Sequence, residues 1–209
     1  MGWQELGDVP VAIRIGKPVR FAARLTSLFG HHVPDPMTEM PPITAERAAS
    51  VLEDRDEIEG LLNDGESEVK RYETPRTFEY MRWRYASAPL LDYRAVREER
   101  GGHLEGIAIF RVRPRGALRE ATVTEILVRQ GSDRTARRLL GRILSASNAD
   151  HLTCSTPAFG EHWFSSFKWR SFRTPHGIDL VVNTLGKDTQ PDPTSLDSWA
   201  LSLGDLELF

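Results

Sequence analysis

Three consecutive extended runs in the middle of the chain constrain its fold more than any other sequence feature. Residues 93–100 and 103–112 flank the pair Gly101-Gly102, and a third run, Leu118–Val128, follows the turn Pro114-Arg115-Gly116. A glycine pair between two alternating runs is a strong hairpin signal, because glycine adopts the positive φ angles that tight turns require. The pattern therefore predicts an antiparallel meander of three strands.

The third run leads through a glycine-containing turn, residues 129–134, into a helical run at residues 135–145. The apolar stripe that the spacing predicts for this helix consists of Leu139, Leu140, Ile143 and Leu144. A strand that enters a helix through a glycine turn is a common site for the phosphates of nucleotide cofactors, because the first amides of a helix have no partner within it. The turn is therefore the first candidate for a binding site.

The remaining patterns predict helices before the meander and a mixture of short elements after it. Helical spacing predicts helices at residues 19–29, 48–62 and 77–86, the last with Thr77 as its N-cap. The patterns that follow predict a strand at residues 150–155, a helix at residues 158–167, and a hairpin of residues 171–173 with residues 178–184 around Pro175-His176-Gly177. Together they predict the α/β (α+β) fold class, with a mixed, mostly antiparallel sheet flanked by helices.

The domain organisation follows from a proline-rich stretch and a polar tail. Residues 1–43 contain a short strand at residues 9–15, a helix and a proline-rich linker. Residues 44–185 are predicted to form the domain proper, and residues 186–209 a carboxyl-terminal tail.

Composition excludes several classes of protein. With 27 Lys and Arg against 30 Asp and Glu, the net charge of −3 offers no basic excess for nucleic acid. The single cysteine, Cys154, cannot form an internal disulfide, which fits a reducing compartment. The sequence shows no leader and no apolar run long enough to span a bilayer, and His31-His32 lack further ligands for a metal. We therefore expect a cytoplasmic protein with no metal site, no nucleic-acid partner and no membrane insertion.

Two segments resemble one known family. The segment Phe78-Glu79-Tyr80-Met81-Arg82-Trp83-Arg84-Tyr85-Ala86-Ser87-Ala88-Pro89, with Tyr93 after it, is similar to the F..WRY..(H/A)P...Y segment of GNAT-related proteins of bacterial exopolysaccharide gene clusters. Trp199 followed by Gly204-Asp205 looks like the carboxyl end of the same proteins. The predicted element order is also that of the GNAT acetyltransferase fold, so the resemblance covers residues 44–209.

The first residues carry a separate resemblance. The segment Gly2-Trp3-Gln4-Glu5-Leu6-Gly7 before a strand looks like the end of another GNAT unit, and in this family two units often occur in tandem. The resemblance implies that the chain is a carboxyl-terminal half, with residues 1–16 left from an upstream unit. The alternative is that Met1 begins a complete protein with a simple amino-terminal strand. A second GNAT domain, or a second copy in a homodimer, is the partner that the first interpretation implies.

The resemblance implies acetyl-CoA as the cofactor and residues 129–134 as its pyrophosphate site. The turn of the family follows the pattern Q/R..G.G/A, which Gln130 and Gly131 match and from which Ser132 and Asp133 depart. An Asp at the N-cap places a negative charge where a diphosphate would bind, whereas nearby arginines could offset it or form an ordinary solvated face. The expected cofactor-binding residues are Val128, Arg129, Gln130, Gly131, Ser132, Arg134, Arg137 and Arg138.

The same resemblance implies the catalytic residues. Glu125 lies in the strand before the turn, where the general base that takes a proton from an acceptor amine is expected. The usual acid is a tyrosine on a later helix, and this chain offers His162 there. The implied acceptor is an amine of a small molecule, a sugar or a polysaccharide precursor. The structural alternatives are an arginine-paired Glu125 and an ordinary surface His162.

Three functional hypotheses remain open. The chain is a GNAT-type acyltransferase domain, or it is a catalytically silent half that shapes an acceptor site or docks on a cofactor-binding half. The third hypothesis makes it an interaction module in which the aromatic and basic segment at residues 76–85 holds a partner. The alternative for that segment is a helix that buries its aromatic side chains.

Overall fold

The computed structural model describes residues 2–27, 35, 37–38, 41–64, 71–88, 90–129, 132–155, 171–184 and 189–206. Within these residues the chain has a mixed α/β fold, in which a mostly antiparallel seven-stranded sheet is flanked by helices. The expected α+β class is therefore confirmed. None of the helices described is long and apolar enough to cross a membrane.

The elements are numbered in chain order. The strands are β1 Gln4–Val9, β2 Val11–Ile15, β3 Glu46–Arg47, β4 Tyr93–Arg100, β5 His103–Arg115, β6 Leu118–Val128, β7 His151–Ser155, β8 Ser171–Arg173 and β9 Ile178–Val182. The helices are α1 Pro18–Ser27, α2 Ala48–Val51, α3 Arg55–Asp64, α4 Phe78–Met81, a π-helical turn Arg82–Ala86, α5 Asp133–Ser147, a 3-10 turn Leu196–Ser198 and α6 Leu203–Leu206.

The meander that the sequence predicts is formed by β4, β5 and β6. Gly101 and Gly102 both have positive φ angles, 61° and 81°, so this turn uses the conformational freedom of glycine. The bounds of β6 match the prediction, while β5 extends to Arg115 because its last residues still pair with the first residues of β6. The strands of the sheet follow the order β3-β4-β5-β6-β7-β2-β8.

The strand β6, the helix α5 and the strand β7 form the sheet's one parallel step among the described strands. The predicted apolar stripe of α5 is confirmed, because Leu139, Leu140 and Ile143 are buried and Leu144 is partly buried against the same core. The sheet separates two hydrophobic cores. In β5, Ile107 and Ile109 contribute to the core beneath α2, α3 and α4, and the alternate residues Ala108 and Phe110 contribute to the core beneath α5.

The amino-terminal run is part of the same sheet as the central domain. β2 lies between β7 and β8, with Ile13 opposite Thr153 on one side and Phe172 on the other. β1 lies on the other side of Pro10, which has no N–H to donate to a ladder, and pairs with β9 in a separate two-stranded sheet. The predicted strand at residues 9–15 is therefore split at this proline, and the segment expected to precede the domain supplies an interior strand.

The prediction of a hairpin around Pro175-His176-Gly177 is wrong. β8 runs antiparallel to β2 and β9 antiparallel to β1, so both pair with the amino-terminal run. The residues between β8 and β9 also bind the amino-terminal run. The Thr174 N–H donates to the Val11 carbonyl at 2.9 Å, and the Gly177 N–H donates to the Asp8 carboxylate at 3.0 Å. The turn therefore interrupts one long strand and does not reverse it.

The helix predicted at residues 48–62 is two helices, α2 and α3. The side chain of Asp54 accepts a hydrogen bond from the Glu57 N–H at 3.1 Å, which is the bond of an N-cap and starts a new helix. The helix predicted at residues 19–29 is described as α1, Pro18–Ser27. The helix predicted at residues 158–167 lies outside the described residues.

The helix predicted at residues 77–86 begins as expected and ends differently. Thr77 is its N-cap and accepts a hydrogen bond from the Tyr80 N–H at 3.1 Å. The second half, Arg82–Ala86, is π-helical, and such turns are frequent at functional sites. Phe78, Met81 and Tyr85 are buried as their spacing predicts.

Candidate functional site

Glu125 is positioned by a β-bulge in β6. Ile109 of β5 pairs with Glu125, while the next residue, Phe110, pairs with Val123. Thr124 is therefore the extra residue of the bulge, and its hydroxyl donates to the Ile109 carbonyl at 3.0 Å. Bulges re-aim side chains, and this one places Glu125 on the sheet face beside α4 and the π-helical turn.

The carboxylate of Glu125 is enclosed by side chains from two other parts of the chain, the segment at residues 76–85 and the carboxyl-terminal residues. The hydroxyls of Tyr85 and Ser202 each donate to Oε1 at 2.9 Å, and Arg76 donates to Oε2 at 3.3 Å. Only 3% of Glu125 is exposed to solvent. Burial raises the pKa of Glu125 above its usual value, although Arg76 opposes this effect. Glu125 is thus a carboxyl group with a raised pKa that is almost completely shielded from solvent.

Arg76 links Glu125 to a second carboxylate. Its guanidinium donates to Asp205 at 2.7 Å, and Asp205 also accepts the Ser202 N–H at 2.8 Å. Burial alone would lower the pKa of Arg76, but the two carboxylates outweigh it and raise that pKa. Burial and the neighbouring carboxylates also raise the pKa of Tyr80, whose hydroxyl lies 3.4 Å from Asp205, to about 12. The guanidinium of Arg76 therefore forms ion pairs with both Glu125 and Asp205.

The carboxyl-terminal strap, residues 198–206, covers this cluster. Arg84 donates to the Gly204 carbonyl at 3.0 Å, and the Ser155 hydroxyl donates to the Leu201 carbonyl at 2.6 Å. A side chain at Gly204 would clash with the Tyr85 hydroxyl. Part of the segment that was expected to be a polar tail therefore packs against Glu125, the candidate base.

The strap lies where β6 and β7 stop pairing. Their parallel ladder runs from Glu120 opposite His151 to Thr122 opposite Thr153, and β6 then continues to Val128. Among the described strands, none pairs with residues 123–128 on that side. In the part of the chain that the structure describes, this edge of β6 therefore has no strand partner, as an acyl-CoA site would need, and α6 contacts β6.

The start of α5 differs from the sequence expectation. Ser132 occupies the N-cap position and Asp133 is the first helical residue, so the assignment of Asp133 as N-cap is wrong. The Ser132 side chain does not cap the helix; its hydroxyl donates to the Thr135 hydroxyl at 2.6 Å. Asp133 still places a negative charge in the first turn. Gln130 and Gly131 lie outside the described residues.

The arginines expected to bind phosphate are divided between bound and exposed positions. Arg129 pairs with Asp64 and donates to the Leu104 carbonyl at 3.0 Å, and Arg138 pairs with Glu98 at 2.8 Å. The other two expected arginines, Arg134 and Arg137, are exposed, and Val128, the last residue of β6, is partly buried. A diphosphate would have to displace two carboxylates and sit beside Asp133, so the described residues of this turn fit acetyl-CoA poorly.

The aromatic and basic segment at residues 76–85 faces in two directions. Arg76, Arg84 and Tyr85 point into the cluster around Glu125, while 67% of Trp83 is exposed. The structural alternative, a helix that buries its aromatic side chains, is therefore correct for Tyr85 and wrong for Trp83, and Arg84 is buried as well.

Sequence reasoning identified Glu125 but not its neighbours. Tyr85 and Asp205 lie far from it in sequence and were noted only as parts of the two family-like segments, and no sequence argument pointed to Ser202. A tyrosine on the buried face of a helix needs a partner for its hydroxyl, and that requirement was the available signal for Tyr85. His162, the expected acid, lies outside the described residues.

No protein-family model matches the chain, and no curated protein matches its sequence. Within the residues that the structure describes, no group of His, Cys, Asp or Glu side chains could hold a metal ion. His31-His32, where the sequence predicts no metal site, lie outside that part of the chain.

Proposed function

We propose that this chain is a GNAT-like domain that is catalytically silent on its own and serves acceptor binding or docking beside a cofactor-binding domain. The observation that carries the proposal is the enclosure of Glu125 by Tyr85, Arg76 and Ser202. A general base must reach the proton that it removes, and here every side of the carboxylate contacts the protein itself. The occupied arginines and Asp133 at the candidate phosphate turn support the same conclusion.

Calorimetric titration of the full chain with acetyl-CoA tests this proposal. We expect an affinity in the millimolar range or weaker, because binding would have to break two ion pairs of the turn. A micromolar dissociation constant would overturn the proposed silence. A thiol-release assay with acetyl-CoA and an amino sugar should show no turnover above that of a sample without the protein.

The second candidate function is acyl transfer from acetyl-CoA to an amine. It is favoured by the bulge that places Glu125, together with Tyr85, beside the unpaired edge of β6. Acetyl-CoA would supply the acyl group, Glu125 would accept the proton of the amine, and Tyr85 would hold the carboxylate in place. Turnover that is lost in Glu125→Gln and kept in Glu99→Gln, an exposed carboxylate on β4, would support this candidate over silence.

The partners of a silent half follow from the same proposal. An amine on a small molecule or saccharide is the acceptor it would bind, and a second GNAT-like domain or a second copy is the protein it would dock on. We place the chain in the cytoplasm, since its one cysteine, Cys154, is free and partly buried against the core beneath α5, and desolvation raises its pKa to about 12.

A further inference from the structure

The carboxyl-terminal strap is attached to the domain mainly through polar contacts. Neither hydrophobic core contains a residue of the strap among the buried side chains that the structure describes. Leu203 is its one large buried aliphatic side chain within the described part, and it belongs to neither core. A segment held this way has a lower opening free energy than strands whose side chains fill a core.

The backbone of the strap is also weakly integrated with the sheet. Within the described residues, its only β-type backbone pairing is a single bridge between Tyr72 and Trp199. Around that bridge, the Tyr72 N–H donates to Ser198 at 2.7 Å and the Ala200 N–H donates to Tyr72 at 2.9 Å. The two rings stack at 4.8 Å. Detaching the strap would therefore leave the ladders of the seven-stranded sheet intact.

The strap contacts charged groups that could otherwise bind a hydroxyl, an amine or an anion. Ser202 donates its hydroxyl to Glu125 at 2.9 Å, as an external hydroxyl or amine would. Arg84 and Arg76 hold the Gly204 carbonyl and the Asp205 carboxylate. Removal of the strap would uncover one carboxylate, two guanidinium groups and the unpaired edge of β6 together.

We propose that the strap, residues 198–206, is a latch that opens as a unit while the sheet stays folded, and that its opening exposes Glu125 and the free edge of β6. The latch does not depend on acyl transfer, because it concerns only how the chain covers its own buried acid. It rests on the proposed function and would explain the lack of catalysis, because the closed strap blocks access to Glu125.

Amide hydrogen exchange of the full chain, followed by NMR spectroscopy in low urea, tests the latch. We expect amides of residues 199–206, and those amides of residues 123–128 that point away from β5, to exchange through an opening that is nearly independent of urea. Amides of β5 should exchange only through global unfolding. Simultaneous exchange of all three regions with the same urea dependence would overturn the proposal.

Two variants and a control make the test specific. Gly204→Ala introduces a clash beneath the strap, so exchange of the strap should rise about tenfold. β5 should accelerate by the same factor, because global unfolding also opens the strap. If Gly204→Ala does not fold, Ser202→Ala removes one hydrogen bond without adding volume and should accelerate the same regions. Ile143→Val is the control: it weakens the core beneath α5, which stays folded when the latch opens, so it should accelerate β5 about fivefold and leave the strap unchanged. Acceleration of the strap by Ile143→Val to the same extent as β5 would overturn the proposal.

Discussion

The hydroxyl of Tyr85 donates to Glu125 Oε1 at 2.9 Å, and both side chains are almost completely buried. Burial, and then the carboxylate itself, raise the pKa of Tyr85, so the phenol remains a neutral donor. This bond joins the π-helical turn to the bulge of β6. It is the centre of the cluster that the strap covers.

Tyr85→Phe should lower the free energy of unfolding by about 2 kcal/mol, because it deprives a buried carboxyl group of a hydrogen bond. Urea unfolding measures the loss. Tyr80→Phe is the matched control and should cost less than about 0.5 kcal/mol, since the Tyr80 hydroxyl is half-buried and 3.4 Å from Asp205. Equal losses in the two variants would contradict the importance assigned to the Tyr85 bond.

The raised pKa of Glu125 predicts a pH dependence of stability. The folded protein keeps the proton of Glu125 at a pH at which the unfolded chain has released it, so this contribution is present below the usual value of 4.5 and is lost as pH rises through the raised pKa. The groups that face Glu125 are Arg76, Asp205, Tyr85 and Ser202.

Urea unfolding of the wild type and of Glu125→Gln at several pH values isolates this contribution. The stability of the wild type relative to the variant should fall as pH is raised above 4.5, because the glutamine does not titrate. A relative stability that rises with pH would show that Arg76 dominates and holds Glu125 ionised.

Glu120 should show the opposite dependence. Burial would raise its pKa, but hydrogen bonds from His151 at 3.1 Å and Arg113 at 2.9 Å lower it to about 2. Its contribution is therefore present above 4.5 and is lost as pH falls towards 2. Glu120→Gln should cost about 3 kcal/mol at neutral pH by urea unfolding.

The control for Glu120→Gln is Glu99→Gln, which removes an exposed carboxylate 3.3 Å from Arg97 and should cost less than about 1 kcal/mol. The difference between the wild type and Glu120→Gln should shrink as the pH is lowered below 4.5. A difference of the same size at acid and neutral pH would show that the loss comes from packing and not from the charge.

Local patterns predicted the elements whose partners are close in sequence. Gly101 and Gly102 fixed the turn of the first hairpin, and the spacing of Leu139 and Ile143 fixed the buried face of α5. The last two strands were located correctly, but their pairing was wrong because their partner is the amino-terminal run. Nothing within a proline-containing turn reveals a partner so distant in sequence.

The candidate site was also hard to predict from sequence, because it depends on contacts between distant residues. Alternation in β6 indicated where Glu125 lies, but the bulge that turns it depends on pairing with β5. Its neighbours come from two distant segments, Arg76 and Tyr85 from residues 76–85 and Ser202 from the strap. Polar residues carry no periodic signal, so only the folded chain shows that they meet.

The interior position of β2 predicts that its backbone N–H groups are essential to the sheet. Ile13→Pro removes a donor from a strand paired on both sides, with Thr153 and Phe172, and should cost at least about 3 kcal/mol in urea unfolding. Ile13→Val keeps the backbone donor and should cost about 1 kcal/mol. Wild-type stability of Ile13→Pro would show that the amino-terminal run is not an integral strand.

The negative charge of Asp133 predicts weak anion binding at the start of α5. Asp133→Asn removes that charge from the first turn, where the partial positive charge of the helix favours anions. The affinity of the Asp133→Asn variant for inorganic pyrophosphate, measured by calorimetry, should therefore be about two- to fivefold higher than that of the wild type.

Asp56→Asn is the control, because it removes the same charge from the first turn of α3 and leaves the turn before α5 unchanged. An equal gain in both variants would show a general effect of net charge. If Asp133→Asn alone gains affinity, the turn retains the backbone geometry of an anion site, and Asp133 with its neighbouring ion pairs keeps phosphate out of it. No gain in either variant would show that the amides at the start of α5 do not reach a bound anion.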